Sequence, residues 1–502
     1  MSLGRNLLAG WANSIWSALI VLAVVPFYLK YLGMEAYGLI GFFATTQALL
    51  QLLDMGIAPT ISREVARCSV SGNLKEAGKL LHTLAVVSWC VAGAIAIFVI
   101  LLSPWIAEYW LQSKQLSSET IAHAAMLIGV VVACRWPIGI YQGALIGAQR
   151  LMVSSGINML MGTIGSLGAV TVLALVSPTI EAFFIWQALV GVTHVVIIRL
   201  TAWRIIGVTK NISFDVGTLK EVWRFTAGMS GIGLTTLVFT QLDKVLLSKM
   251  LSLNEFGHYM LATVVVSGLY LLVTPLFNVM YPRFSALVLA HDVEKLTDLY
   301  RLGSRLLASA LFPITMLLVV FAKDLVHAWT GNPDIAKNVA PIIQILAIGS
   351  ALHGIMHLPY ALQLAYGMTR IPLMINAILM IALVPLIIYL ALSFGALGGA
   401  MAWLALHVLY VWLGTWLTHR RLLSGLGISW LFGDVGIPLM MSILVGVMVN
   451  YFSESNEYSI LMKLIGSCGL ALIVSLLSIS TSPQLRSAML RNLGWKKEKA
   501  IA

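Results

Sequence analysis

The sequence predicts an all-α polytopic membrane protein of about 14 transmembrane helices, built as two parallel six-helix repeats plus two extra C-terminal helices. Three observations carry that prediction. First, the 502 residues are 59% hydrophobic and only 10% charged, more apolar surface than a soluble fold of this length could hide. Second, apolar stretches of roughly 20 residues recur from end to end, each long enough to cross a ~30 Å hydrocarbon layer as a helix. Third, landmarks of the first half recur in order in the second. Gly38 is followed by Gly257 after 219 residues, Gln142 by Gln363 after 221, Arg150 by Arg370 after 220, Asn158 by Asn376 after 218 and Trp186 by Trp403 after 217.

In chain order the predicted spans are 11–29, 36–58, 82–103, 121–147, 153–176, 180–203, 224–248, 257–280, 302–322, 340–366, 371–393, 398–418, 432–452 and 459–480. The first is too long, and lacks the cleavage pattern, for a removable signal peptide. Proline and glycine punctuate the connections at Ser103-Pro104, Ser177-Pro178, Gly331-Asn332-Pro333 and Ser482-Pro483. The first bundle covers 1–222, the second 223–426, and the two additional helices with the tail 427–502. Six spans per copy make the repeat parallel, and duplicated bundles of this kind bind substrate near the bilayer midplane.

An even span count puts both termini on one side. With span-end charges assigned to the adjoining loop, a cytoplasmic placement gives 23 Lys and Arg inside, 6 outside and 2 within spans, against 9, 9 and 2 for Asp and Glu. Basic bias without acidic bias is the form of the positive-inside rule. The +11 net charge therefore reads as topology and not as a nucleic-acid surface. Segments 61–81 and 283–301 read as duplicate amphipathic helices on the inner surface. They and the tail Trp495-Lys496-Lys497-Glu498-Lys499 would rest on anionic lipid.

Several classes are excluded or disfavoured. Cys68, Cys90, Cys134 and Cys468 show no paired spacing, so neither a disulfide framework nor a metal site is implied. No glycine-rich phosphate loop is present, and no catalytic set stands at working spacing. The chain is expected to be no enzyme and to hold no cofactor. A membrane glycan polymerase would need a large outer loop, and the outer loops are short.

Polar residues inside the spans mark candidate sites. Arg135 lies near the middle of span four, too deep to snorkel readily. It costs several kcal/mol unless it faces water or a partner, and Pro137 beside it would loosen the helix. Its repeat counterpart, 218 residues on, is His353; His357 shares its helix face. Gly233, Thr236, Thr240 and Asp243 form one stripe of span seven, with Lys244 about 100° around the helix. Gly10, Asn13 and Ser17 stripe span one. Asp54 ends span two and would pair with Arg63 or Arg67. Asn158, Asn376, Gln142, Gln363 and Gln187 could hydrogen-bond sugars or neighbouring helices.

Two segments carry a family resemblance. Tyr31-Leu32-Gly33-Met34-Glu35-Ala36-Tyr37-Gly38, then Leu53-Asp54-Met55-Gly56-Ile57 with Arg63, resembles the opening of bacterial polysaccharide (Wzx-type) flippases. Asp243-Lys244-Val245-Leu246-Leu247 followed by Glu255-Phe256-Gly257-His258-Tyr259 resembles that family's second-half motif. These motifs are shared with the multidrug/oligosaccharidyl-lipid/polysaccharide exporter superfamily. The resemblance covers about residues 6–480. It implies a protein of the bacterial cytoplasmic membrane that moves a polyprenyl-pyrophosphate-linked oligosaccharide outward by alternating access, for O-antigen- or capsule-like polysaccharide. Other polysaccharide assembly proteins are then possible partners. On that basis Arg135, His353, His357, Lys244, Asn158 and Asn376 are substrate-binding candidates. Asp243 and Asp54 are candidates for coupling to H+ or Na+, or for gating. The alternatives are an ion-coupled multidrug exporter or a lipid II flippase. The first would centre on carboxylates, whereas the most central charge here is positive.

Overall fold

In the computed structural model, residues 3–53, 56–71, 74–207, 214–217, 240–368, 370–455 and 460–480 are described. Two compact units emerge, Met1–Met260 and Leu261–Ala502. Asp54 and the residues Gly233 and Thr236 of the span-seven stripe lie outside the described residues, as does the basic tail.

The first unit begins with α1 (Leu3–Leu53), whose helical run is interrupted at Gly33. Gly33 has φ 80°, a conformation that glycine adopts without a Cβ penalty. The 41-residue apolar stretch Gly10–Leu50 is therefore two spans, since about 60 Å of helix exceeds the ~30 Å hydrocarbon thickness. Next come α2 (Ile57–Ser71), α3 (Leu74–Trp105), α4 (Ser118–Arg135), α5 (Ile138–Gly147), α6 (Leu151–Leu175) and α7 (Ile180–Ile206). A helix over 240–250, here α8, leads to α9 (Leu253–Ser267). The sequence assigns 240–260 to the second bundle, yet this segment packs on first-half residues. Leu253 N–H donates to the Gln112 carbonyl at 2.7 Å, and Trp110 Nε1 donates to Ser248 Oγ at 3.1 Å.

The second unit contains α10 (Tyr270–Leu289), α11 (Val293–Thr330), α12 (Pro333–Ile355), α13 (His357–Ala365) and α14 (Arg370–Arg421). A single turn, α15 (Gly427–Ser429), runs into a π-helical segment Trp430–Gly436, followed by α16 (Ile437–Ser455) and α17 (Ile460–Ser480). The 52-residue α14 is again two spans, divided at Gly395 with φ 60°. Asp434 in the π-helical segment pairs with Arg301 at 2.8 Å and Arg305 at 3.7 Å. Trp430 Nε1 donates to Ser304 Oγ at 2.8 Å. These contacts pin the start of the C-terminal helices to α11.

The duplication extends to the helix breaks. Gly33 and the break at Leu251–Ser252 are 218 to 219 residues apart, and the α6 C-cap Val176 and Gly395 are 219 apart. α11 begins 219 residues after α3, α13 begins 219 after α5, and α14 begins 219 after α6. Packing repeats as well. α3 packs on α4 as α11 does on α12, α2 on α5 as α10 does on α13, and α4 on α7 as α12 does on α14.

Two expectations are corrected. The segments 61–81 and 283–301 are not single amphipathic helices. The first is the end of α2 and the start of α3, with residues 72–73 outside the described set. The second is broken at His291, which has φ 54°. There Asp292 caps α11 by accepting from Lys295 N–H at 3.0 Å and pairs with its ammonium at 2.7 Å. These bonds hold the Asp292 carboxyl below the usual carboxylate range. Arg63 and Arg67 both bond Glu64, at 2.6 and 3.1 Å, and Arg67 reaches Glu76 at 3.4 Å.

Candidate functional site

Spans four and ten are each broken near their middle. α4 stops at Arg135 and α5 starts at Ile138. Pro137 has no N–H to give, and its ring crowds the carbonyl four residues back. α12 stops at Ile355 and α13 starts at His357, with Pro359 in the first turn of the new helix to the same effect. Broken helices of this kind free polar groups at membrane depth.

Arg135 therefore sits at a helix end. Its Nη1 donates to Gln47 Oε1 on α1 at 2.9 Å, and its Nη2 to Gln187 Oε1 on α7 at 2.5 Å. The guanidinium lies 5.5 Å from the centroid of the Phe43 ring, a cation–π distance. Gln187 is held in turn, with Nε2 donating to the Gly165 carbonyl at 3.2 Å. Behind Phe43, edge-to-face contacts run through Phe184 and Phe183 to Tyr28. Tyr28 hydroxyl donates to the Ser166 carbonyl at 3.1 Å. Among the described residues no carboxylate pairs with Arg135. Two of its five N–H donors go to neutral amide oxygens. The result is a half-buried cation with no carboxylate partner among the described residues.

In the second unit His353 Nδ1 is hydrogen-bonded to Tyr270 hydroxyl at 2.6 Å. His357 Nδ1 donates to the His353 carbonyl at 3.1 Å, and His407 Nδ1 to the Trp403 carbonyl at 2.8 Å. The His353 ring lies 4.9 Å from that of His357 and 4.8 Å from that of His407, with Trp403 and Tyr410 at 6.2 and 6.1 Å. Among the described residues no group of three His, Cys, Asp or Glu side chains has metal-binding geometry.

The other predicted residues fall elsewhere. Asp243 is buried at 2% exposure and accepts from Tyr259 hydroxyl at 2.7 Å. Lys244 folds back to it at 3.2 Å and to the Thr240 carbonyl at 3.0 Å. The lysine stem thus cancels the 100° separation expected from its position. Asn158 Oδ1 accepts from Gln142 Nε2 at 2.7 Å, and Gln363 Nε2 donates to Thr418 Oγ1 at 2.7 Å; both are helix-to-helix bonds. Asn376 is half-buried on α14. Sequence reasoning missed Gln47, His194 and His407. Each carried a usable signal. Gln47 is one of two amides, with Gln51, in an otherwise mostly apolar run. His194 stands seven residues after Gln187, on one face of α7, with its Nε2 buried and without a hydrogen-bond partner among the described residues. His407 stands one turn after the Trp403 landmark.

Ten helices among the described residues are long and apolar enough to cross a membrane, and the helix breaks expose polar groups at their centres. This is the architecture of a multi-pass membrane transporter. Residues 30–333 match the model of a family described as polysaccharide biosynthesis protein, and the chain belongs to that family. A Shigella flexneri protein to which O-antigen transport is ascribed is 20% identical over 422 residues, covering 81% of this chain and 97% of that one. Among solved structures, the lipid II flippase MurJ in an inward closed conformation matches with TM-score 0.72 at 13% identity, over 97% of this chain and 99% of its own. An inward-facing multidrug resistance transporter of the MATE family matches with TM-score 0.64 at 15% identity, over 81% and 94%.

Proposed function

We propose that this protein flips polyprenyl-pyrophosphate-linked oligosaccharide units across the bacterial cytoplasmic membrane, with both termini in the cytoplasm, and that Arg135 binds an anionic group of the cargo. The observation that carries this reading is the guanidinium at the α4 break, bonded among the described residues to two neutral amides. A cation costs several kcal/mol at such depth, and a pyrophosphate or acidic sugar would offset that cost when it docks. Arginine suits phosphate geometry because its donors lie in a planar fork. His353 and His357 supply further donors in the second unit, while Asn158, Asn376 and Lys244 are secondary contacts. Coupling to H+ or Na+ would fall to Asp243, with Lys244 and Tyr259 as its local partners, or to Asp54. Anionic lipids and other polysaccharide assembly proteins are the partners this role calls for.

The test is surface glycan in cells lacking their own flippase. Arg135→Ala and Arg135→Glu are expected to abolish it, while Arg135→Lys retains part. Normal glycan in Ala and Glu variants that accumulate in the membrane would sink the assignment. Lipid II is the second candidate cargo, favoured by the match to MurJ over 97% of the chain, through the two extra C-terminal helices. Growth of cells depleted of their lipid II flippase and supplied with this chain separates the two cargoes.

A further inference from the structure

α10 carries a pattern that Arg135 and the histidines do not account for. Tyr270, Phe277 and Tyr281 stand at i, i+7 and i+11, within about 40° of one another on the helix. Phe277 stacks on Tyr281, centroids 5.9 Å apart and planes 10° apart, and on Tyr360 of α13 at 6.0 Å and 15°. His357 meets Phe277 edge-on at 6.2 Å, and Tyr270 reaches His353. All six of these rings, on α10, α12 and α13, are half-exposed. The strip thus runs from the histidine cluster along α10 towards Arg283.

Turned by roughly 60° from this row, Thr274 and Asn278 lie one helical turn apart and both are exposed. An exposed amide and hydroxyl are disfavoured against hydrocarbon, so this face borders water. Charge narrows the ligand further. α10, α13 and α14 contain no Asp or Glu, and the single acid of α12 is Asp334. Asp334 precedes His353 by 19 residues, about 28 Å of helix. An organic cation could use the same ring faces but would find no carboxylate on these helices.

We propose that the strip Tyr270–Phe277–Tyr281–Tyr360, with Thr274 and Asn278 beside it, is a carbohydrate-binding surface for uncharged pyranose rings. The apolar C–H faces of the sugar pack on the aromatic rings, and its hydroxyls bond to Asn278, Thr274 and the tyrosine hydroxyls. The proposal rests on the glycan reading above and assigns the neutral part of the cargo to the second unit, while the anion belongs to Arg135 in the first.

Saturation-transfer NMR on the purified full chain tests it, with N,N′-diacetylchitobiose, rhamnose and methyl mannoside as uncharged probes and tetraphenylphosphonium as the cation probe. Transfer to ring C–H protons of at least one sugar is expected. It should fall roughly 3- to 10-fold in Phe277→Ala and Tyr360→Ala, the size of one lost ring contact, and persist in Phe277→Trp and Arg135→Ala. Asn278→Ala, on an exposed face that carries no packing, should weaken transfer in a fully folded chain. No transfer to any sugar, transfer unchanged in the Ala variants, or transfer to tetraphenylphosphonium alone would overturn the proposal. Sugar transfer alongside normal surface glycan in Arg135→Glu keeps the strip and removes the Arg135 assignment. Loss of glycan in Arg135→Glu with no sugar transfer does the reverse.

Discussion

Arg135 keeps its place through two amide oxygens, and each side of that arrangement can be tested separately. Gln187 supplies the shorter bond, at 2.5 Å. Gln187→Leu deletes an acceptor for a charged donor, which costs about 1.5–3 kcal/mol, so the midpoint of thermal unfolding in detergent should fall. Gln187→Glu keeps the acceptor and adds a compensating charge, which offsets the loss of the Nε2 bond to the Gly165 carbonyl. That variant should unfold no earlier than the parent, yet its surface glycan should drop sharply, because the cation is then paired internally. A stable Gln187→Glu chain with normal glycan would mean that the free charge of Arg135 has no role in transport. By contrast, Asp243 is already satisfied by Lys244 and Tyr259.

The elements owe their close approach to particular glycines. On α5, a Cβ at Gly143 would stand 2.5 Å from the Ala58 carbonyl of α2, and one at Gly147 would collide with the Ser62 carbonyl one turn further on. The α2–α5 pair is therefore packed backbone to backbone, which sets the direction in which α5 leaves the break after Arg135. Gly147→Val should destabilise the chain by about 1–3 kcal/mol, as overpacking does, and should lower glycan export by tilting α5. Gly156→Ala on α6 meets nothing within 4 Å and should leave the unfolding midpoint in place. Equal midpoints for the two variants would show that the contact is not tight. The breaks themselves were only half visible in the chain. Pro137 announced the first beside Arg135. The second lies between Ile355 and His357, and Pro359 was buried in a span that reads as continuous by hydropathy.

Across the whole molecule, the charge distribution makes a topological prediction. With 23 basic residues on one side and 6 on the other, a green fluorescent protein fused after Ala502 should fluoresce. Alkaline phosphatase inserted after Gln115 should be active. Active phosphatase at the C-terminus would reverse the orientation. The tandem repeat was legible because span length, the Gln, Arg, Asn and Trp landmarks and the positive-inside count are local properties that survive without coordinates. The structure extends the repeat to the kinks at Gly33 and Gly395 and to the pairing of helices within each unit.

The sequence by itself determined the class of molecule, its run of apolar helices and the duplication, because hydropathy and charge act on each segment separately. Tertiary structure decided the rest. It set Gln47 and Gln187 against Arg135, closed Lys244 onto Asp243, assigned Asn158 to Gln142, and gathered His407 with His353. The reason is geometric: each of these contacts joins residues whose partners depend on how helices cross and where they break, and neither is written in a span's own composition. Hence the cation was visible in the chain, and its neutral amide partners only in the fold.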